Sequence, residues 1–252
     1  MIQSKLTLVG AGPGDKDLIT FKGIKALQRA KVVLYDALVN TELLDYTKPE
    51  TIKVFVGKRG GQKSVAQDKI NQLIVSYALV YGEVVRLKGG DPFIFGRGYE
   101  EIAFAEKNGL ATEVIPGISS STGLTAINNI SLTQRGIADG FWVLTASKIG
   151  NQFNEDIALA AQSNSTVVIL MGVRKLPQIA EVYKGYGQFD LPVMIIQNGS
   201  LDNEKVVTGT ISNIEEVVKE NEVQAPAIIV IGEVLNFKSE QELVSETVNY
   251  LN

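Results

Sequence analysis

Apolar and polar positions along the first half of the chain fall into two alternating kinds of stretch. Short β-branched runs bounded by glycine, proline or aspartate recur at residues 5–9, 31–35, 52–56, 83–87 and 111–115, and each predicts a strand. Between them, apolar residues return at helical spacing. Leu18, Ile19, Ile24 and Leu27 predict a helix reaching Ala30, and others are expected over residues 65–81 and 99–107. The second half restarts the alternation, with strands expected at 141–145, 166–171, 191–196, 205–209 and 227–231. Helices are expected at 153–161, 174–183 and 214–220. Strands close together around Asn198-Gly199 and Thr208-Gly209 predict a partly antiparallel sheet there. The pattern is that of an α/β protein in two domains, residues 1–117 and 118–252. Leu243, Val244, Val248 and Leu251 among acidic residues predict a terminal helix in the tail.

The loops after the predicted strands carry the chemistry. Leu87-Lys88-Gly89-Gly90-Asp91-Pro92-Phe93-Ile94-Phe95-Gly96-Arg97-Gly98 joins a strand to a helix with four glycines, a proline and a carboxylate. In an open α/β sheet, ligands bind outside the carboxyl ends of the strands, where this loop belongs. Glycines there let the backbone approach a ligand closely, and Asp91 can accept hydrogen bonds from hydroxyls or an ammonium group. Gly10-Ala11-Gly12-Pro13-Gly14-Asp15 follows the first strand but fails as a dinucleotide fingerprint. Asp15 takes the place of the third glycine, and Pro13 removes an N–H from the turn. Asp36 ends the second strand, facing a ligand or capping a turn. Lys58 and Arg59 follow Gly57 after the third strand, as an anion contact or a solvated loop. Ser119 and Ser120 lead into an apolar helical run as caps with hydroxyls to spare. Met171 ends a strand much as Lys88 does; by itself it reads as core packing.

Composition narrows the chemistry. The 252 residues contain neither cysteine nor histidine, which removes thiolate metal sites, disulfides and the commonest general base. Acid–base work falls to carboxylates, lysines, tyrosines or water, and no metal is expected. No apolar run approaches the ~18 residues of a membrane helix, and the start lacks signal-peptide character. A cytoplasmic setting is the expectation. Residues 53–97 carry eight Lys or Arg against three Asp or Glu, whereas residues 151–252 carry six against fourteen. With a net charge of −4, general nucleic-acid binding is disfavoured. The basic segment suits a polyanionic small molecule, or is a solvated asymmetry.

Taken together, these segments resemble the uroporphyrinogen-III C-methyltransferases of the tetrapyrrole methylase superfamily. The resemblance is carried by Gly10-Ala11-Gly12-Pro13-Gly14-Asp15, Tyr35-Asp36, Val56-Gly57-Lys58-Arg59 and residues 84–98. Val114-Ile115-Pro116-Gly117-Ile118-Ser119, Leu132-Thr133-Gln134-Arg135-Gly136, Leu170-Met171-Gly172, Gln197-Asn198-Gly199 and Val207-Thr208-Gly209-Thr210 extend it to nearly the whole chain. It implies two α/β domains with the active site in the cleft between them, a homodimer, S-adenosylmethionine as donor with S-adenosylhomocysteine as product, and a tetrapyrrole acceptor. It assigns Pro13, Gly89, Gly90, Asp91, Ile94, Ser119, Ser120, Met171 and Gly199 to the cofactor, and Asp36 and Lys58 to proton acceptance and donation. Arg59, Arg97 and Arg135 are then expected to meet substrate carboxylates, because a guanidinium forks onto them. Gln134 stands where the family usually has histidine, and Ala146-Ser147 where it has Gly-His. Tyr99 and Gln197 replace the more common glycine and glutamate. An NAD-dependent oxidoreductase is disfavoured by Asp15, and an RNA methyltransferase by the calculated pI of about 5.1.

Overall fold

The computed structural model describes residues 4–57 and 66–236. Lys58, Arg59 and the expected tail helix lie outside the described residues. The chain divides into two compact units, Met1–Ser120 and Ser121–Asn252.

The first unit holds β1 (Lys5–Gly10), α1 (Phe21–Arg29), β2 (Val32–Tyr35), β3 (Ile52–Phe55) and α2 (Gln67–Tyr81). β4 (Glu83–Lys88), α3 (Gly98–Lys107) and β5 (Ala111–Ile115) complete it. The strands form one parallel sheet in the order β3-β2-β4-β1-β5. β1 and β4 lie inside that order and are buried along nearly their whole length. A parallel strand covered on both faces is expected to be apolar along its run; β1 meets this apart from Lys5 and Thr7, whereas β4 carries the buried Arg86 and Lys88 among its valines and leucine.

Alternation sorts the two faces. Val9, Val33, Val85 and Leu87 pack against Ala26 and Leu27 of α1 and against Leu43 and Leu44. The latter two sit on a 3-10 turn, Thr41–Tyr46, that the sequence pattern does not predict. Leu6, Leu8, Leu34 and Val84 pack on the other face against Ile70, Ile74 and Ala78 of α2 and Ile102 and Ala105 of α3. α1 starts later than its periodicity suggests. The Thr20 hydroxyl accepts the Gly23 N–H at 3.1 Å and caps the helix. Leu18 therefore belongs to a separate 3-10 turn, capped by Asp15. At the amino edge of the sheet, Glu113 accepts from Lys5 at 2.6 Å and pairs with Lys22 at 2.7 Å, while Arg29 spans Glu83 and Glu113.

The second unit begins with most of α4 (Ser120–Ile127), followed by β6 (Phe141–Thr145), α5 (Asp156–Ala160), β7 (Thr166–Leu170) and α6 (Leu176–Gly185). β8 (Pro192–Gln197), β9 (Lys205–Thr210), α7 (Ile214–Glu220) and β10 (Ala227–Ile231) close it. The sheet order is β6-β7-β10-β8-β9; β6 and β7 are parallel and every other pairing is antiparallel. α5 is shorter than expected because Asn154 is drawn away from the helix. Its amide donates to the Thr145 carbonyl at 3.0 Å, and its Oδ1 caps the Asp156 N–H. Residues of α5, α6 and α7 fill one face of this sheet, and Leu124 of α4 with Ile130, Val234 and Leu235 fills the other. No described helix is long and apolar enough to cross a membrane.

Candidate active site

Because all five strands of the first unit run parallel, their carboxyl ends share one edge, and the described loops after β1, β2, β4 and β5 meet there. Gly10, Gly90 and Gly117 come from three different strand ends and touch backbone to backbone. A Cβ on Gly10 would lie 2.4 Å from the Gly117 nitrogen, and one on Gly117 2.3 Å from the Gly90 oxygen. Gly12 and Gly90 exchange backbone hydrogen bonds, the Gly90 N–H donating at 2.7 Å. Gly89 sits under Leu38, whose Cβ lies 2.6 Å from where its own would be. So the turn after Asp36, the loop after β1 (with the half-buried Pro13) and the Gly89-Gly90 pair form one floor of backbone. Above Gly90 the space is open: a Cβ there would meet nothing nearer than the Ser120 nitrogen at 3.9 Å.

Asp91 ties this floor together. Its Oδ1 accepts the Phe93 N–H at 2.8 Å and its Oδ2 the Gly117 N–H at 3.0 Å. The carboxylate thus links the β4 loop to the β5 loop. Lone pairs remain for a ligand. Beyond it Phe93, Ile94 and Phe95 are exposed, and Arg97 takes a left-handed conformation ahead of α3. Arg97 forks onto Glu100, with Nε donating to Oε1 at 2.8 Å. The fork holds the Glu100 carboxyl below the usual carboxylate range.

Asp36 caps a turn, as one of the two expectations has it, and also joins a part-buried ion pair. Its Oδ1 accepts the Leu38 N–H at 3.1 Å, a turn cap, and its Oδ2 pairs with Arg86 Nη2 at 3.2 Å. Arg86 is buried in β4 and continues inward, donating from Nε to Glu101 at 3.2 Å and from Nη1 to the Leu87 carbonyl at 2.8 Å. The fully buried Glu101 of α3 also receives Lys88 and Gln67 on the same Oε1, each at 3.1 Å. Burial and the nearby Arg86 charge push the Lys88 amine below its ordinary range, against the pull of Glu101. Arg86, Lys88 and Glu101 are absent from the candidates read from sequence. The signal was present: two cations two residues apart in an otherwise apolar buried strand must share a face and need a buried acid.

In the second unit, Met171 follows β7 with φ at 56° and its side chain exposed. An exposed methionine held in the left-handed region is not core packing, and its backbone is strained. Asn198 and Ser200 are likewise left-handed and flank Gly199, which packs on Leu124 of α4. Arg135 is exposed at a tight turn in which Gln134 and Ala138 exchange backbone hydrogen bonds of 2.9 Å. Among the described residues no group of three or more His, Cys, Asp or Glu is placed to hold a metal ion.

A parallel sheet with a glycine floor at its carboxyl edge and an acid beside it defines an α/β protein of the ligand-binding, strand-end class. More narrowly, the chain belongs to the tetrapyrrole (corrin/porphyrin) methylases, whose family profile matches residues 5–215. It is 41% identical over 239 residues to the uroporphyrinogen-III C-methyltransferase of Methanocaldococcus jannaschii, spanning 94% of this chain and 99% of that protein. It is 43% identical over 242 residues to the siroheme synthase of Actinobacillus pleuropneumoniae, covering 95% of this chain but 49% of that longer one. The structure of uroporphyrin-III C-methyl transferase from Thermus thermophilus complexed with S-adenyl homocysteine superposes with a TM-score of 0.79 at 37% identity. That match covers 92% of this chain and 99% of the other.

Proposed function

We propose that this chain is an S-adenosylmethionine-dependent C-methyltransferase that methylates uroporphyrinogen III at C2 and C7, giving precorrin-2 for sirohaem or cobalamin. The observation that carries the reading is the bare glycine edge of the first unit with Asp36 beside it, in a chain of this family. A floor without side chains fits a nucleoside-sized ligand that must lie close to backbone N–H and C=O groups.

The roles follow from the chain's own groups. Bound S-adenosylmethionine supplies an electrophilic methyl group, and the pyrrole carbon is the nucleophile. Likeness to the family assigns Pro13, Gly89, Gly90, Asp91, Ile94, Ser119, Ser120, Met171 and Gly199 to holding and orienting the donor. Positioning of this kind supplies much of the rate in a bimolecular transfer. Methylation leaves a cationic ring that must shed a proton, and the Asp36 carboxylate accepts it. Lys58 is assigned proton donation. The acceptor is a polycarboxylate, so Arg59, Arg97 and Arg135 meet its carboxylates; Arg97 must then share or release Glu100. The same likeness carries a homodimer and a cytoplasmic setting into the reading, the former open to sedimentation.

The test is an anaerobic assay of the purified protein with S-adenosylmethionine and uroporphyrinogen III, following product by mass and absorbance. A gain of two methyl groups is expected. No transfer with S-adenosylhomocysteine still bound would move the acceptor to a later precorrin.

A further inference from the structure

The Arg86 network is costly where it lies. Its neighbours on that face of the sheet are apolar: Leu34 and Val84 from the strands, Ile102 from α3 and Ile70 and Ile74 from α2. Replacing a buried ion pair in such surroundings by packed apolar side chains is often neutral or stabilising, so fold stability alone gives no reason for it. What the network reaches is the ligand edge. Arg86 leaves the protein interior, its side chain only 4% exposed, and ends on Asp36, whose side chain is 23% exposed.

We propose that Arg86 is the positioning residue for Asp36, and that Glu101 holds Arg86 in that task. The proposal rests on the reading of Asp36 as proton acceptor. With Oδ1 bound to the Leu38 N–H and Oδ2 to Arg86, each carboxylate oxygen has a fixed donor, which restrains both rotation and tilt of the group. Arg86 is fixed in turn. Its Nη1 donates to the Leu87 carbonyl and its Nε to Glu101, whose Oε1 is gripped by Lys88 and Gln67 as well. Glu101 Oε2 has no partner among the described residues, so the acid is held through one oxygen by three donors. A proton acceptor must stay within hydrogen-bond reach of the carbon-bound proton in the one geometry that aligns donor and acceptor. Arg86 supplies that constancy without touching either reactant.

The experiment compares Arg86→Gln/Glu101→Gln with the wild-type chain. The two changes together remove both ends of the Arg86–Glu101 pair; the buried Lys88 then loses its acid partner, a cost that the melting temperature reads separately from kcat. Melting temperature and S-adenosylhomocysteine calorimetry establish folding and cofactor binding, and steady-state kinetics with uroporphyrinogen III separate kcat from KM. The expected result is retained S-adenosylhomocysteine affinity and KM with kcat lower by about 10²-fold. Wild-type kcat overturns the proposal, and so does a loss that appears in KM or cofactor affinity instead. If the double variant fails to fold, Arg86→Lys decides. A lysine keeps the charge but cannot fork to Asp36 and Glu101 together, so kcat should fall about tenfold at unchanged KM; an undiminished kcat overturns the idea. Asp36→Asn is measured alongside. Full turnover in that variant removes Asp36 itself from the mechanism, whereas lost turnover there with intact Arg86 variants removes only the positioning role.

Discussion

Gly117→Ala tests whether the backbone floor is as tight as the geometry says. The new Cβ would stand 2.3 Å from the Gly90 oxygen, 2.7 Å from the Gly10 Cα and 2.8 Å from the Gly10 carbonyl carbon. Ordinary carbon–oxygen packing needs about 1 Å more, and no side chain can move aside to provide it, so two strand ends must part. Overpacking of this kind costs about 1–3 kcal/mol, and rigid backbone neighbours put this case at the upper end. For a chain of this size that is a melting temperature lower by about 5–10 °C. A floor displaced by ~1 Å also loses its fit to the donor, so S-adenosylhomocysteine affinity should fall at least about tenfold. Differential scanning calorimetry and titration calorimetry measure the two effects. Gly185→Ala is the matched control, because nothing lies within 4 Å of its Cβ position at the end of α6. It should be neutral, or stabilising by up to about 1 kcal/mol through loss of unfolded-state freedom. Unchanged melting and affinity in Gly117→Ala would refute the account of the floor.

Other expectations address single contacts. Asp36→Asn should keep S-adenosylhomocysteine affinity by calorimetry and lose about 10²-fold or more in turnover; undiminished turnover excludes it as proton acceptor. Asp91→Asn leaves one oxygen for two N–H donors and should lower stability by about 1–3 kcal/mol and weaken cofactor binding. An unaltered affinity would send the cofactor elsewhere. Hydrogen bonds from Lys22 and Lys5 hold Glu113 down from 4.5 to about 2. A depressed folded value stabilises above the ordinary range and fades as pH falls from 4.5 towards 2. Glu113→Gln should therefore melt lower than wild type at neutral pH, by a modest amount, and match it near the acid end. A difference that stays constant across that window contradicts the assignment.

How far the fold could be read ahead followed from burial. β1 and β4 lie between neighbouring strands, so both are rich in buried Val and Leu and end where glycine begins. The 3-10 turn Thr41–Tyr46 was invisible because six residues are too few for a period, although Asn40, whose side chain accepts the Glu42 N–H, was a usable cue. α5 was overextended for a different reason: Asn154 is captured by Thr145, a tertiary contact that no local pattern carries. At the candidate site, the glycine-rich loops lie at the carboxyl edge of the sheet as the strand order requires, but a motif says nothing about which glycines touch. Gly10 and Gly117 acquire their meaning only when three strand ends converge. Arg86 and Lys88 sit at the end of a strand whose edge lies next to a glycine loop, where charges also read as solvated, and only the buried Glu101 shows that they point inward.

The two edges of the first sheet have separate tasks, which matters to anyone wishing to engineer the protein. Glu113, Lys5, Lys22, Arg29 and Glu83 tether β1, β4, β5 and α1 at the amino edge, remote along the strands from every loop that bears on ligand. Hardening against heat or salt can be sought among these surface pairs, or by apolar substitutions at the strand starts, without disturbing the opposite rim. Changing acceptor preference calls for the reverse choice. Exposed Leu38, Phe93 and Tyr99 offer side chains to vary beside a floor that has no room for one at Gly10, Gly89 or Gly117. Durability and selectivity are thus adjustable on independent dials.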